Sequence, residues 1–472
     1  MTFTHDTFLS PFTWRYGSDA MRAVWSETHK RALWRRIWVA LARTQHSLGL
    51  VTAEQVADLE AHMHDVDVEA ALAIEARIHH DLMAEVQAYA QQCPIGGGII
   101  HLGATSADIE DNADALRLRE SLHIVLTTLS SLLGLFASQI EETAEQTVMA
   151  FTHLQPAEPT TLGYRLALYA QDLLEDYMGM RELQRHIRGK GFKGAVGTAA
   201  SYAQLLDGTP HTPETLESLV MSELDLLPYP ITGQTYPRKL DWQIISALAG
   251  LASSLYKFAF DLRVLQSPMI GELGEPFARL QVGSSAMPFK RNPINSEKTD
   301  SLGRLIVALT QTAWENASHS LLERTLDDSA NRREMLPIAF LAADEMLNVT
   351  KRTLANLRID PNAIQRNLSK YGSFAALERI LMASVKYGAD RQHIHEVLRE
   401  YSMQAWATVS ADQPNPLEDL LINSVELRRY LTIEQIRSLL DASTYVGTAP
   451  KRAREFAATI RSVLAEDHLY PN

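Results

Sequence analysis

Apolar positions recur with helical spacing along almost the whole chain. Leu33, Trp34, Ile37, Trp38 and Leu41 form one face of a helix that ends near Gly49. Thr52 with Gln55 has the form of a capping box opening a short helix. Asp67 opens the next, with Ile74, Ile78, Leu82, Val86 and Tyr89 in register until Pro94 stops it. On one continuous helix His79, His80 and Asp81 fall together, and adjacent histidines point about 100° apart, so they cannot both face one site. From Asn112 to about Gln146 a single pattern of roughly 35 residues predicts a helix of about 50 Å, which needs bundle partners to bury its leucines. Further helices are predicted from Thr160 to about Arg188, from Leu240 to Gln266, from about Pro293 to Leu321 and from Met335 to Leu347. Ile244 to Tyr256 is apolar or small nearly all round, which marks a helix inside a bundle and hints at subunit association. Beyond Pro361 run amphipathic helices with proline-containing joints and no string that suggests chemistry. With no alternation of strands and helices, the expectation is an all-α protein of three helical domains: 1–110, a central long-helix bundle over 111–364, and 365–472.

The polar strings lie between these helices. His101-Leu-Gly-Ala-Thr105-Ser106-Ala-Asp108 precedes the longest, and Thr105 or Ser106 suits its N-cap, with Asp108, Glu110 and Asp111 favourable in its first turn. Phe151-Thr-His153-Leu-Gln-Pro156, followed by Pro159, is expected to hold His153 at a corner between two helices. Gly189 to Ser201 contains four glycines and two lysines, enough to cradle an anion but without the order of a P-loop. Two more strings are Ile231-Thr-Gly-Gln234-Thr-Tyr-Pro-Arg238 and Glu323-Arg324-Thr-Leu-Asp-Asp-Ser329-Ala-Asn-Arg-Arg333. The densest is Gln281-Val-Gly283-Ser284-Ser285-Ala-Met-Pro288-Phe289-Lys290-Arg-Asn292-Pro293, with Glu297 close behind. Gly283 permits close approach, and Pro293 sits at a helix start whose amides, with Lys290, would form a nest for negative charge.

The net charge of −13 argues against a nucleic-acid partner, so a local basic cluster calls for a specific anionic ligand. The only cysteine, Cys93, excludes an intrachain disulfide and a Cys-based metal cluster. There is no metal-ligand set, nicotinamide fingerprint or Walker loop, and no Gly-x-Ser-x-Gly elbow for acyl transfer. Residues 1–25 lack the continuous apolar core of a signal peptide, and the uncharged run Ile244–Tyr256 is too short to span a bilayer, which leaves the cytoplasm as the expected compartment and no membrane partner. Lysine and asparagine beside a serine suit removal of a proton next to a carboxylate, because the resulting carbanion needs fixed donors and a cation.

Gly283 to Pro293 resembles the signature of the fumarase/aspartase/argininosuccinate lyase superfamily. His101–Ser106, Thr152–Pro156, Ile231–Tyr236 and Arg324–Arg333 resemble, within it, the adenylosuccinate lyase family, and the likeness runs from about Arg15 into the C-terminal region. The resemblance implies a homotetramer with a tetrameric helical core and active sites shared among subunits, a small-molecule nucleotide substrate and no cofactor or metal. It implies Ser284, in preference to Ser285, as general base. It implies His153 as general acid, oriented by Glu297, with Lys290 and Asn292 holding the aci-carboxylate. Thr105 and Ser106 would bind a succinyl carboxylate. His80, Gln234, Arg324, Ser329 and Arg333 match substrate-binding positions, as do His79, Asp81 and Lys298 beside them, and Arg15-Tyr16 match contacts to the phosphate end. Fumarate would be eliminated from adenylosuccinate and from the succinyl-aminoimidazole-carboxamide ribonucleotide. The chain departs from the family pattern at His79 and Lys298, where arginine is usual, and at Phe289, where Tyr or His is usual. Two other readings stay open: a lyase or cycloisomerase for another dicarboxylate, and a structural relative that has lost catalysis.

Overall fold

Side-chain caps set the helix starts along this chain. Ser18, Ser26, Thr52, Asp67, Asp360, Asp390 and Thr432 each accept from a backbone amide in the first turn of the helix that follows. The expected Thr52–Gln55 capping box is present. In the computed structural model, which describes residues 6–469, these caps open a predominantly all-helical fold. Its long helices are Ser106–Glu142, Leu162–Arg185, Lys239–Gln266, Ile294–Ser318 and Asp327–Ala355. Ser106–Glu142 and Lys239–Gln266 are long and apolar enough by composition to cross a membrane. Here Leu116, Leu122, Leu129 and Leu133 of the first, and Ile244, Leu248, Leu251 and Leu255 of the second, are buried core positions.

Contact density groups the chain into two units, each drawn from three segments: 1–129, 175–253 and 299–348 in the first, 130–174, 254–298 and 349–472 in the second. In the first unit the Glu27–Ser47 helix buries Leu33, Trp34, Ile37 and Trp38, as its periodicity required. It also buries Arg31 and Arg35, which both bond Glu85, at 2.9 and 2.7 Å. In the second unit Ile380, Ile394, Leu417, Leu421, Leu427 and Ile436 form a C-terminal core.

Two local expectations are corrected. His153 does not lie at a corner between helices: Thr147–Thr152 (β1) and Gln155–Thr161 (β2) form an antiparallel hairpin, and the next helix begins at Leu162. His153 and Leu154 are its two-residue turn, both with positive φ, 54° and 59°, the conformation whose twist matches paired strands. The run Thr-Val-Met-Ala-Phe-Thr has the β-branched and aromatic content of a strand, and Pro156 and Pro159 are tolerated because a two-stranded ribbon consists of edges. Likewise Val68–Ile78 and Asp81–Gln92 are separate helices. His79 ends the first in the left-handed region, and His80 caps the second, its Nδ1 accepting from Met83 N at 3.4 Å. The break cancels the helical offset, so both histidines face one cavity.

Candidate active site

The first unit encloses a cavity of about 580 Å³ whose walls come from segments far apart in sequence. Among the residues expected to bind substrate, His79, His80, Asp81, Thr105, Ser106, Gln234, Arg324, Ser329 and Arg333 all line it. Thr105 and Ser106 open the Ser106–Glu142 helix, yet neither hydroxyl has a hydrogen bond among the described residues. Instead Asp108 Oδ2 accepts from Thr105 N at 3.0 Å, which closes the helix start and leaves both hydroxyls for the cavity. Gln234 is pinned by its backbone N–H to Glu323 O at 2.9 Å. Arg333 bonds Asp81 at 2.8 Å. Burial would raise the Asp81 carboxyl, but Arg333 and the Leu82 amide hold it below its ordinary value.

Behind the wall lies a buried ionic frame. Arg238 grips Asp111 with two nitrogens at 3.0 and 3.2 Å and Asp328 with a third at 2.5 Å. Arg332 bonds Asp241 at 2.7 Å, Tyr236 Oη at 2.8 Å and Asp114 at 3.2 Å. Arg324 reaches Asp328 at 2.9 Å. Burial favours the neutral acids, yet Arg332 and Arg117 keep Asp114, and Arg238 and Arg332 keep Asp328, below the usual carboxylate range. Polar groups so fully paired are rigid, and the frame fixes where Gln234, Arg324 and Ser329 stand.

The glycine-rich stretch does cradle an anion, but one from its own chain. The Asp108 carboxylate, fully buried, accepts from the Lys190 ammonium, Lys193 N at 3.2 Å, Gly194 N at 3.3 Å and Tyr202 Oη at 3.1 Å. Lys193 pairs with Glu217.

The residues expected to carry proton transfer belong to the second unit. The Gln281–Pro293 stretch is irregular backbone. Ser284 Oγ accepts from Met287 N at 3.0 Å and Ala286 N at 3.3 Å, and Asn292 Nδ2 donates to Gly283 O at 3.0 Å. A Cβ on Gly283 would stand 2.1 Å from Lys290 O, so only glycine fits. The nest expected at the following helix start is also filled internally: Glu275 accepts from Asn295 N at 3.1 Å and Ser296 N at 2.5 Å. Lys290 is exposed, as are His153 and Phe289, the last at 83%. No hydrogen bond to the His153 ring is present among the described residues. Glu297 lies 3.9 Å from Arg263, and Lys298 is half-buried on the same helix start. Arg15 and Tyr16 are not on the cavity wall: the Arg15 guanidinium sits over Trp14 at 5.6 Å, and Tyr16 meets Phe12 edge-on at 5.6 Å.

Several wall residues were not anticipated as site residues. Trp25, which ends the Asp19–Val24 helix, Glu27, Lys30 and Trp34 on the Glu27–Ser47 helix and Glu75 on the Val68–Ile78 helix belong to no polar string, and only folding brings them here. Glu110, read in the sequence as a helix-start charge, also lines the cavity.

Residues 14–307 match the family model described as Lyase, and residues 374–456 that described as Adenylosuccinate lyase C-terminus. Over 96% of its length the chain is 38% identical to adenylosuccinate lyase of Saccharomyces cerevisiae, of which it covers 94%. It is 38% identical to that of Schistosoma mansoni, of which it covers 95%. The chain belongs to the adenylosuccinate lyase family. Its fold matches a fumarate lyase from Mesorhizobium with a TM-score of 0.83 at 22% identity, over 96% of this chain and 99% of that one. It matches the 3-carboxy-cis,cis-muconate lactonizing enzyme of Pseudomonas putida with a TM-score of 0.83 at 24% identity, over 95% and 99%.

Proposed function

We propose that this protein eliminates fumarate from adenylosuccinate to give AMP, and from the succinyl-aminoimidazole-carboxamide ribonucleotide to give its carboxamide, in cytoplasmic purine biosynthesis. One observation carries the reading. Thr105, Ser106, Gln234, Arg324, Ser329 and Arg333, drawn from three distant strings, line one cavity in a chain 38% identical to the yeast adenylosuccinate lyase. A phosphate and two carboxylates need that density of donors.

In this reading Ser284 removes the proton from the succinyl carbon next to a carboxylate, the electron pair forms the new double bond, and the carbon–nitrogen bond breaks. His153 protonates the leaving nitrogen. Such transfers contribute about 10²–10⁴-fold each. A serine acts as base only where its alkoxide is stabilised, and the Ala286 and Met287 amides that donate to Ser284 Oγ support that role. These donors replace the helix-start amides, which Glu275 occupies. Lys290 and Asn292 would hold the aci-carboxylate, Asn292 exchanging its bond to Gly283 O for the substrate. Glu297 would orient His153. Arg15, Tyr16 and Lys298 would complete the grip on the nucleotide.

The exposure of His153 and Lys290, with that of Leu168, Phe260, Val307 and Trp314 on the long helices, supports a homotetramer in which these residues complete sites in neighbouring copies. The test is incubation of the purified protein with adenylosuccinate while fumarate and AMP are followed. Absence of fumarate from folded protein would refute the substrate assignment.

A further inference from the structure

The cavity is crowded with carboxylates, and all but one are already paired. Asp81 is held by Arg333, Asp111 by Arg238, and Asp114 by Arg117 and Arg332. Glu27 is held by Lys30, and Glu75 lies 3.6 Å from Arg31. Glu110 lines the same wall, one turn beyond Ser106, and among the described residues its carboxyl has neither a hydrogen bond nor an ion pair. It is partly buried and turned toward the space where the ligand would lie.

We propose that Glu110 is a specificity-determining residue that enters the cavity as an uncharged carboxylic acid and donates a hydrogen bond to an acceptor atom of the bound nucleotide. The proposal rests on the adenylosuccinate reading above for the identity of the ligand. The physical case is one of charge. An ionised Glu110 would add an unpaired negative charge beside Asp81, Asp111 and Asp114, and would then face a ligand carrying a phosphate and two carboxylates. The uncharged acid removes that repulsion and supplies a donor, which a carboxylate cannot.

Its surroundings act in the same direction. Burial first, then Asp81, Asp111 and Asp114, push the Glu110 carboxyl up to about 8, while Arg333 opposes them. The other charged groups on the cavity wall are Glu27 and Lys30 on the Glu27–Ser47 helix, and Glu75 with His79 and His80 around the helix break. Arg117 stands on Glu110's own helix, and Arg238, Arg324 and Arg332 complete the set. A group raised to about 8 keeps its proton at neutral pH and loses it in mild alkali.

The experiment compares wild type with Glu110→Gln, which keeps a neutral donor that cannot ionise and leaves every other titrating group in place. KM and kcat for adenylosuccinate are measured from neutral pH into mild alkali. Wild-type KM is expected to rise by up to about tenfold per pH unit above the titration point, with E110Q staying within about twofold, while kcat follows the same course in both. A parallel KM rise in the two proteins, or a flat wild-type profile, overturns the proposal. The wild-type minus E110Q infrared difference spectrum at neutral pH reads the group without any ligand. A carboxylic-acid carbonyl band is expected, and a carboxylate band in its place overturns the proposal. If neither protein releases fumarate at any pH, the substrate reading fails, while the infrared result still decides the state of Glu110.

Discussion

Replacing Asp108 by asparagine tests whether the glycine-rich stretch is built around an internal anion. The substitution preserves shape but removes the charge that Lys190 faces in a site where both side chains are fully buried. Breaking a buried pair by removing one partner costs about 3–5 kcal/mol. The new amide would also turn N–H groups toward donors that Asp108 now accepts, Thr105 N on one oxygen or Lys193 N on the other. One orphaned amide adds about 1–3 kcal/mol. At about 2–4 °C per kcal/mol for a unit of this size, the thermal midpoint should fall by roughly 10 °C or more. Circular dichroism at fixed protein concentration measures it, because assembly would make the midpoint concentration-dependent. Asp108→Asn combined with Lys190→Met removes both charges and should recover at least half of the loss. A D108N midpoint within about 2 °C of wild type, or a double variant no better than the single, would refute the reasoning.

Ser284→Ala should lower kcat by about 10²–10⁴-fold while KM stays within about threefold, and steady-state fumarate release measures both. Gly283→Ala places a Cβ 2.1 Å from Lys290 O, so turnover should drop by at least about tenfold while the midpoint barely moves, the loop being largely exposed. Asp81, Asp114 and Asp328 have lowered values in the fold. Their contribution to stability is therefore full above the unfolded carboxylate value near 3.9 and is lost as pH falls through the folded values. Thermal midpoints against pH should decline more shallowly in that acid window for Asp114→Asn than for wild type, from a lower starting point at pH 7.

Long helices were the most legible feature, because a pattern sustained over Asn112–Gln146 has one physical solution. The cavity wall was legible too, since hydroxyls, Gln234 and arginines stood in strings at helix ends. The hairpin carrying His153 was not. Its strands are short, and two prolines argue against a central strand, though not against a ribbon of edges. The break at His79 was hidden because a non-glycine residue in the left-handed region leaves the apolar spacing almost intact. At the glycine-rich stretch and at the helix start after Pro293 the donors were legible and the carboxylates they bind were not. Composition reveals donors, but which carboxylate returns to them, Asp108 or Glu275, depends on contacts across many residues. Residues such as Lys30 and Trp25 carried no local signal at all.

The first turns of the Ser106–Glu142 helix divide their positions between two duties. Asp108 and Asn112 face inward and tie the glycine-rich stretch, Asn112 exchanging bonds with Gly191. Asp111 anchors Arg238 and the Tyr236 amide. Every one of these is committed to several partners, so a change at any of them disturbs the scaffold. Among the described residues, the Glu110 carboxyl and the hydroxyls of Thr105 and Ser106 have no hydrogen-bond partner. Drift in ligand preference can therefore accumulate at these three positions without loosening the fold, and a search for altered selectivity would begin by randomising them together.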